Sequence, residues 1–184
     1  MNTSYLASSI KQFEYYKMLG EKAMAHLPDE ALFWQYNAES NSIAVIVNHI
    51  VGNMLSRFTD FLTTDGEKPW RNRDAEFEDP FSSREEILSH WGKGWAQLLT
   101  TLRNLRDDQL ETIVYIRNDG HTVMEAVNRQ LAHYPYHIGQ LVYIAKMAAN
   151  ENWESLSIPR NKSGDYNTRK FIQEKSRRHF TDDL

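Results

Sequence analysis

Ile87, Trp91, Trp95, Leu98, Leu102 and Leu105 recur at steps of four and three residues, and that spacing constrains the fold more than any other feature of the chain. It lines up six large apolar side chains on one stripe of an α-helix, and such a stripe must be buried against other helices. Three further segments show helical periodicity. They run from about Tyr5 to Leu27, from about Ser42 to Leu62 and from Thr122 to about Ala149. Start signals agree with these bounds: Asn41 or Ser42 can accept from the free N–H groups of a first turn, and Ser82…Glu85, Ser83…Glu86 and Thr122…Glu125 have capping-box spacing. The expected fold is all-α, with four long helices around one core. Connections of roughly 14 to 19 residues exceed the ~2–8 usual in bundles, so crossovers between parallel helices are open to the chain as well as a simple up-down path. Ile113-Val114-Tyr115-Ile116 reads as a short strand and Asp119-Gly120 as a turn. The charged linker Glu67–Pro80 has Trp70 and Phe77 as its expected anchors.

A length of 184 residues suits one domain. It is expected over residues 1–157, followed by a basic extension over 158–184 that carries Arg160, Lys162, Arg169, Lys170, Lys175, Arg177 and Arg178. The net charge of −4 argues against nucleic acid or an anionic membrane as the main partner. No apolar run approaches the ~20 residues that span a bilayer. Met1-Asn2-Thr3-Ser4 lacks the basic and apolar regions of a signal peptide, so the expected location is the cytoplasm. There is no cysteine, which excludes disulfides, cysteine-ligated zinc and a cysteine nucleophile. Any thiol chemistry must use a thiol that arrives with a substrate.

The chemistry concentrates in His133-Tyr134-Pro135-Tyr136-His137. Residues four apart share one helix face, so both imidazoles can close on one metal ion. His49, midway along the second helix with Val45, Gly52, Asn53 and Ser56 on neighbouring positions, supplies a third nitrogen. Small and polar neighbours leave room beside such a group. Three imidazoles around a divalent ion leave positions for water or substrate, the pattern of a catalytic rather than a structural site. Zinc and nickel both suit imidazole ligation. Pro135 removes a backbone hydrogen bond and clashes with the carbonyl of Leu131, so a kink or π-bulge that turns His133 relative to His137 is expected. The motif lacks the glutamate of His-Glu-x-x-His, whose place Tyr134 takes. Glu39 is the expected base if water is activated, and Asn53, Gln130 and Tyr136 are expected to orient the histidines or a substrate.

A mid-helix histidine in a second helix and His-x-x-x-His in a fourth resemble the DinB/YfiT-like superfamily. Glu39-Ser40-Asn41-Ser42-Ile43, Asn53-Met54-Leu55-Ser56-Arg57, Gly66-Glu67-Lys68-Pro69-Trp70 and Asn128-Arg129-Gln130-Leu131-Ala132 running into the histidine motif are similar to an uncharacterised bacterial branch of it. The resemblance covers about Tyr5 to Phe171. It implies a four-helix bundle with up-up-down-down connections, a metal site on His49, His133 and His137, and a homodimer. Characterised members include transferases and isomerases that use low-molecular-weight thiols such as bacillithiol, mycothiol or glutathione. The leading expectation is a metal-dependent enzyme that transfers such a thiol to small electrophiles. The alternatives are a metal-dependent hydrolase of a small ester or amide, and a non-catalytic, stress-related bundle that binds metal or a ligand.

Overall fold

The computed structural model describes residues 4–78 and 81–182. It is mostly helical: α1 is Tyr5–Ala25, α2 Ile43–Phe58, α3 Arg84–Asn104, α4 Val123–Ala149 and α5 Ser163–Phe171. A small hairpin, β1 (Ile113–Ile116) and β2 (Asp119–Thr122), precedes α4. The helices begin where the sequence provides acceptors. Ser42 Oγ accepts from Val45 N at 3.1 Å, and Ser83 rather than Ser82 caps α3, accepting from Glu86 N at 3.2 Å. Both bonds of the Thr122–Glu125 box form, at 2.8 and 3.1 Å.

α2 packs on α3 and α4, and α1 on α3 and α4. Between them lies one core containing Phe13, Ile43, Ile50, Met54, Phe58, Ile87, Trp91, Trp95, Tyr134 and Leu141. Gly20 of α1 is required where it stands, because an added Cβ would lie 2.5 Å from the Trp91 ring. α2 stops at Phe58, short of the expected Leu62, and the chain leaves it through Asp60 at a positive φ of 48°.

The hairpin turn falls at Arg117-Asn118, both left-handed (φ 56° and 64°), and not at Asp119-Gly120, which opens β2. Two successive positive φ values match the right-handed twist of the strands. The Asp65 carboxylate accepts from both turn amides, Arg117 N and Asn118 N, at 2.8 Å each. Gly66 N also donates to Tyr115 O at 2.8 Å. The linker after α2 therefore ties the hairpin to the body. Trp70 is 59% exposed and anchors nothing, whereas Phe77 lies against His49. Pro80 lies outside the described residues. Within the basic extension, α5 has no buried residue. Beyond it the chain returns to α1, where Phe180 meets Tyr15 edge-on at 5.4 Å and Lys11 pairs with Asp182. No helix among the described residues is long and apolar enough to cross a membrane.

Candidate metal centre

α4 runs α-helically from Val123 to Ala149 through Pro135, with no π turn. His133 and His137, four residues apart on this helix, come together: their Nε2 atoms are 3.1 Å apart and their ring centroids 4.8 Å. His49 enters from α2, its ring 4.9 Å from that of His137 and 5.5 Å from that of His133. One nitrogen from each of the three lies within 4.8 Å of the others.

Two of the three imidazoles are oriented from behind. His49 Nδ1 lies 3.0 Å from Glu76 Oε2, and Glu76 is in turn gripped by Arg71, with Nε on Oε1 at 2.7 Å and a terminal nitrogen on Oε2 at 2.9 Å. A carboxylate can only accept, so the His49 proton sits on Nδ1 and the Nε2 lone pair is left for the site. His133 Nδ1 lies 3.3 Å from Gln130 Oε1, and the same reasoning leaves its Nε2 bare. His137 Nδ1 is buried and makes no hydrogen bond of good geometry among the described residues, with Gln140 the nearby amide.

The electrostatics keep the His133 and His137 rings neutral. Burial, then the charges of His137 and His49 and of Arg57 and Arg71, press the His133 pKa down to about 3. Burial and His49 take His137 down to about 4. Burial pushes Glu76 up, but the hydrogen bonds from His49 and Arg71 outweigh it and hold the carboxyl below its usual value. Neutral imidazoles beside an ionised carboxylate are the protonation states a divalent ion needs.

The donor set fits such an ion. Tetrahedral bonds of ~2.0–2.1 Å from nitrogen put neighbouring nitrogens ~3.3 Å apart, close to the 3.1 Å between His133 and His137. The His49–Glu76 pair is the carboxylate-backed histidine common behind metal sites. His49, His133 and His137 are thus the residues that could hold a metal.

The residues singled out from sequence divide in the structure. Asn53 and Gln130 are buried beside the histidines, and Asn53 Oδ1 accepts from the Tyr134 hydroxyl at 2.9 Å. Tyr136 is 64% exposed at the rim, its ring edge-on to His137 at 5.0 Å. Glu39 lines a separate pocket with Trp34, Tyr36, Ile46 and Met147, away from the three histidines. The carboxylate at the histidines is instead Glu76, which periodicity could not find because it lies in the short 3-10 turn Asp74–Phe77 of the linker. Gly52 is the signal that marks its place. An added Cβ there would lie 2.3 Å from Glu76 Oε1, so only glycine in α2 lets the carboxylate reach His49. Asn48, one turn earlier, donates to Glu76 O at 3.1 Å and holds that turn on the helix.

The histidines open on a cavity of about 410 Å³. Its lining adds Arg57, Arg71, Arg73, Arg117, Arg129 and Phe77, and includes no carboxylate among the described residues. The site can present a Lewis-acidic ion to a bound small molecule while supplying positive charge around it. No curated protein and no solved structure matches the chain. Residues 1–162 match the family described as "Protein of unknown function (DUF1572)", and the chain belongs to that family.

Proposed function

We propose that this protein is a metal-dependent enzyme of the DinB/YfiT-like superfamily, its four long helices forming an up-up-down-down bundle. Its reaction is the transfer of a low-molecular-weight thiol to a small electrophile. One observation carries the reading: three imidazoles from α2 and α4 converge within 4.8 Å at the floor of a cavity large enough for a small substrate. A divalent cation bound there, zinc or nickel, supplies the acidity that makes a coordinated thiol ionise near neutral pH. The chain does the rest. Glu76 and Gln130 hold His49 and His133 with their Nε2 lone pairs inward. Tyr134, wholly buried, keeps its hydroxyl protonated and fixes Asn53 beside them.

The lining favours thiol transfer over hydrolysis. A carboxylate free to assist water is missing from the histidines among the described residues, since the near one, Glu76, already accepts from His49 and Arg71. The absence of cysteine assigns the thiol to a co-substrate.

Product analysis of the zinc- or nickel-loaded protein with a reactive electrophile, with and without a low-molecular-weight thiol, tests this. A thiol adduct formed only by the intact protein is expected. Thiol-independent cleavage of an ester or amide would replace the reading with a hydrolase, and bound metal without turnover would leave a binding protein. A homodimer and a cytoplasmic location belong to the same proposal. Sedimentation at micromolar concentration near 21.6 kDa would remove the dimer.

A further inference from the structure

Five arginines face the cavity in a chain whose net charge is −4. They arrive from four places: Arg57 from α2, Arg71 and Arg73 from the linker, Arg117 from the hairpin turn and Arg129 from α4, one turn before His133. Glu67 and Glu76 are the carboxylates paired with them, Glu67 with Arg57, Arg71 and Arg117, and Glu76 with Arg71. Among the described residues, five guanidinium groups thus share two directly paired carboxylates. Arg73 and Arg129 make no ion pair among the described residues, although Arg73 lies over the Phe77 ring at 5.1 Å.

The inner and outer arginines do different work. Arg71, 2% exposed in its side chain, is committed to Glu76 and so to His49. Arg73, Arg117 and Arg129 are exposed at the mouth. Arg117 gets there at a left-handed φ of 56°, a conformation that favours glycine or asparagine, and Asp65 holds the turn in place. Solvated arginines normally lie among carboxylates. Here three separate segments bring guanidinium groups to one cavity with no carboxylate on its wall among the described residues.

From the convergence of Arg73, Arg117 and Arg129 on the three-histidine cavity, we infer that the pocket binds a small organic anion through carboxylate or phosphate oxygens. Guanidinium forks match both groups in two-point geometry, and the positive cavity draws such anions in from solution. The inference deepens the proposed function by giving its substrate or co-substrate a charge class, and it rests on that reading for the chemistry alone.

The test is calorimetric titration of the full chain, metal-free and then zinc-loaded, with succinate, inorganic phosphate and the neutral succinamide. Saturable binding of one succinate or phosphate per chain is expected without metal, with no binding of succinamide. The stronger of the two anions identifies the headgroup. R73Q/R129Q should weaken binding by at least about tenfold per guanidinium removed, with an unchanged circular dichroism spectrum and unchanged zinc stoichiometry. Absence of saturable anion binding, equal binding of succinamide, or an unaltered affinity in the folded double variant would overturn the inference. A wild type that takes up no zinc but still binds succinate would sink the metal reading and leave the anion site standing.

Discussion

The buried face of α3 and the facing stretches of α2 and α4 solve opposite problems with the same helical period. Along α3 the buried positions are Ile87, Trp91, Trp95, Leu98 and Leu102, which fill space. Along the α2–α4 seam they are His49, Asn53, Ser56 and Gln130, with His133 and His137 half-buried, and each is tied to a named partner or left facing the cavity. A seam of large apolar groups contributes stability through area removed from water. The polar seam contributes little of that kind, and most of its groups stay buried because Glu76, Gln130, Tyr134 and, for Ser56, the linker backbone at Gly66 and Lys68 satisfy them. Bulk on one side lets the other remain a cavity.

The largest expected effects come from breaking each seam in turn. W95A should remove about 3–5 kcal/mol of stability, as loss of a large buried aromatic does, while zinc uptake per folded molecule is unchanged. H137A should do the reverse. Tightly bound zinc is lost by more than the ~10–100-fold typical of an outer partner, while the melting temperature of the metal-free protein holds or rises. Thermal melts paired with elemental analysis read both. A His137→Ala protein with full zinc content would remove His137 from the site, and a Trp95→Ala protein that loses zinc while folded would couple the seams.

Glu76 is the next test. E76Q keeps the shape but weakens the charge-assisted hydrogen bonds to His49 and Arg71. Metal affinity should fall about 10- to 100-fold. G52A should act in the same direction, since its methyl group displaces the Glu76 carboxylate from its place against α2. Competition with a zinc chelator measures both, and unchanged affinity in E76Q would reduce Glu76 to packing.

The pH dependence separates the seams without mutation. The folded pKa values of His133 and His137, about 3 and about 4, lie below the ~6.5 of an unfolded histidine. The unfolded chain therefore takes up protons first. Stability of the metal-free protein should be insensitive to these two groups above about pH 6.5, and it should be lost progressively as pH falls from there toward 4. Each histidine contributes less than ~1.4 kcal/mol per pH unit, since both are partly exposed to solvent. A flattened profile in the H133A/H137A double variant, from urea melts between pH 7 and 4.5, is the expected result. An identical slope would assign the acid sensitivity elsewhere.

What was legible in the sequence follows the same division. The four long helices were readable because each seam repeats every three or four residues, and capping residues marked Ser42, Ser83 and Thr122. His49, His133 and His137 were readable because two lie at helical spacing and the third has small neighbours. Glu76 and the outer arginines were not. They lie in the linker, in a hairpin turn and on an exposed helix position, where no period links them, and only the fold brings residues 49, 73, 117 and 129 to one cavity and sets Glu76 behind His49. Gly52 and the run of charge after Gly66 were the available traces.

Pro135 gives the smallest expected effect and the finest distinction. The sequence predicts a kink or π-bulge at Pro135 that aims the two imidazoles; α4 has no π turn there, and the Nε2 atoms meet at 3.1 Å. Ordinary i to i+4 spacing suffices for that approach. In P135A the new N–H can donate to Leu131 O and the ring clash disappears. These gains approach the ~3 kcal/mol that an interior proline costs, less the ~0.4–1 kcal/mol lost through a more flexible unfolded chain. A net rise of up to about 2 kcal/mol is expected, with zinc affinity unchanged. A tenfold loss of affinity in a P135A protein of equal or higher melting temperature would show that the proline, and not the helical repeat, sets the aim of His133 and His137. The polar seam would then depend on a backbone distortion that the α3 seam does without.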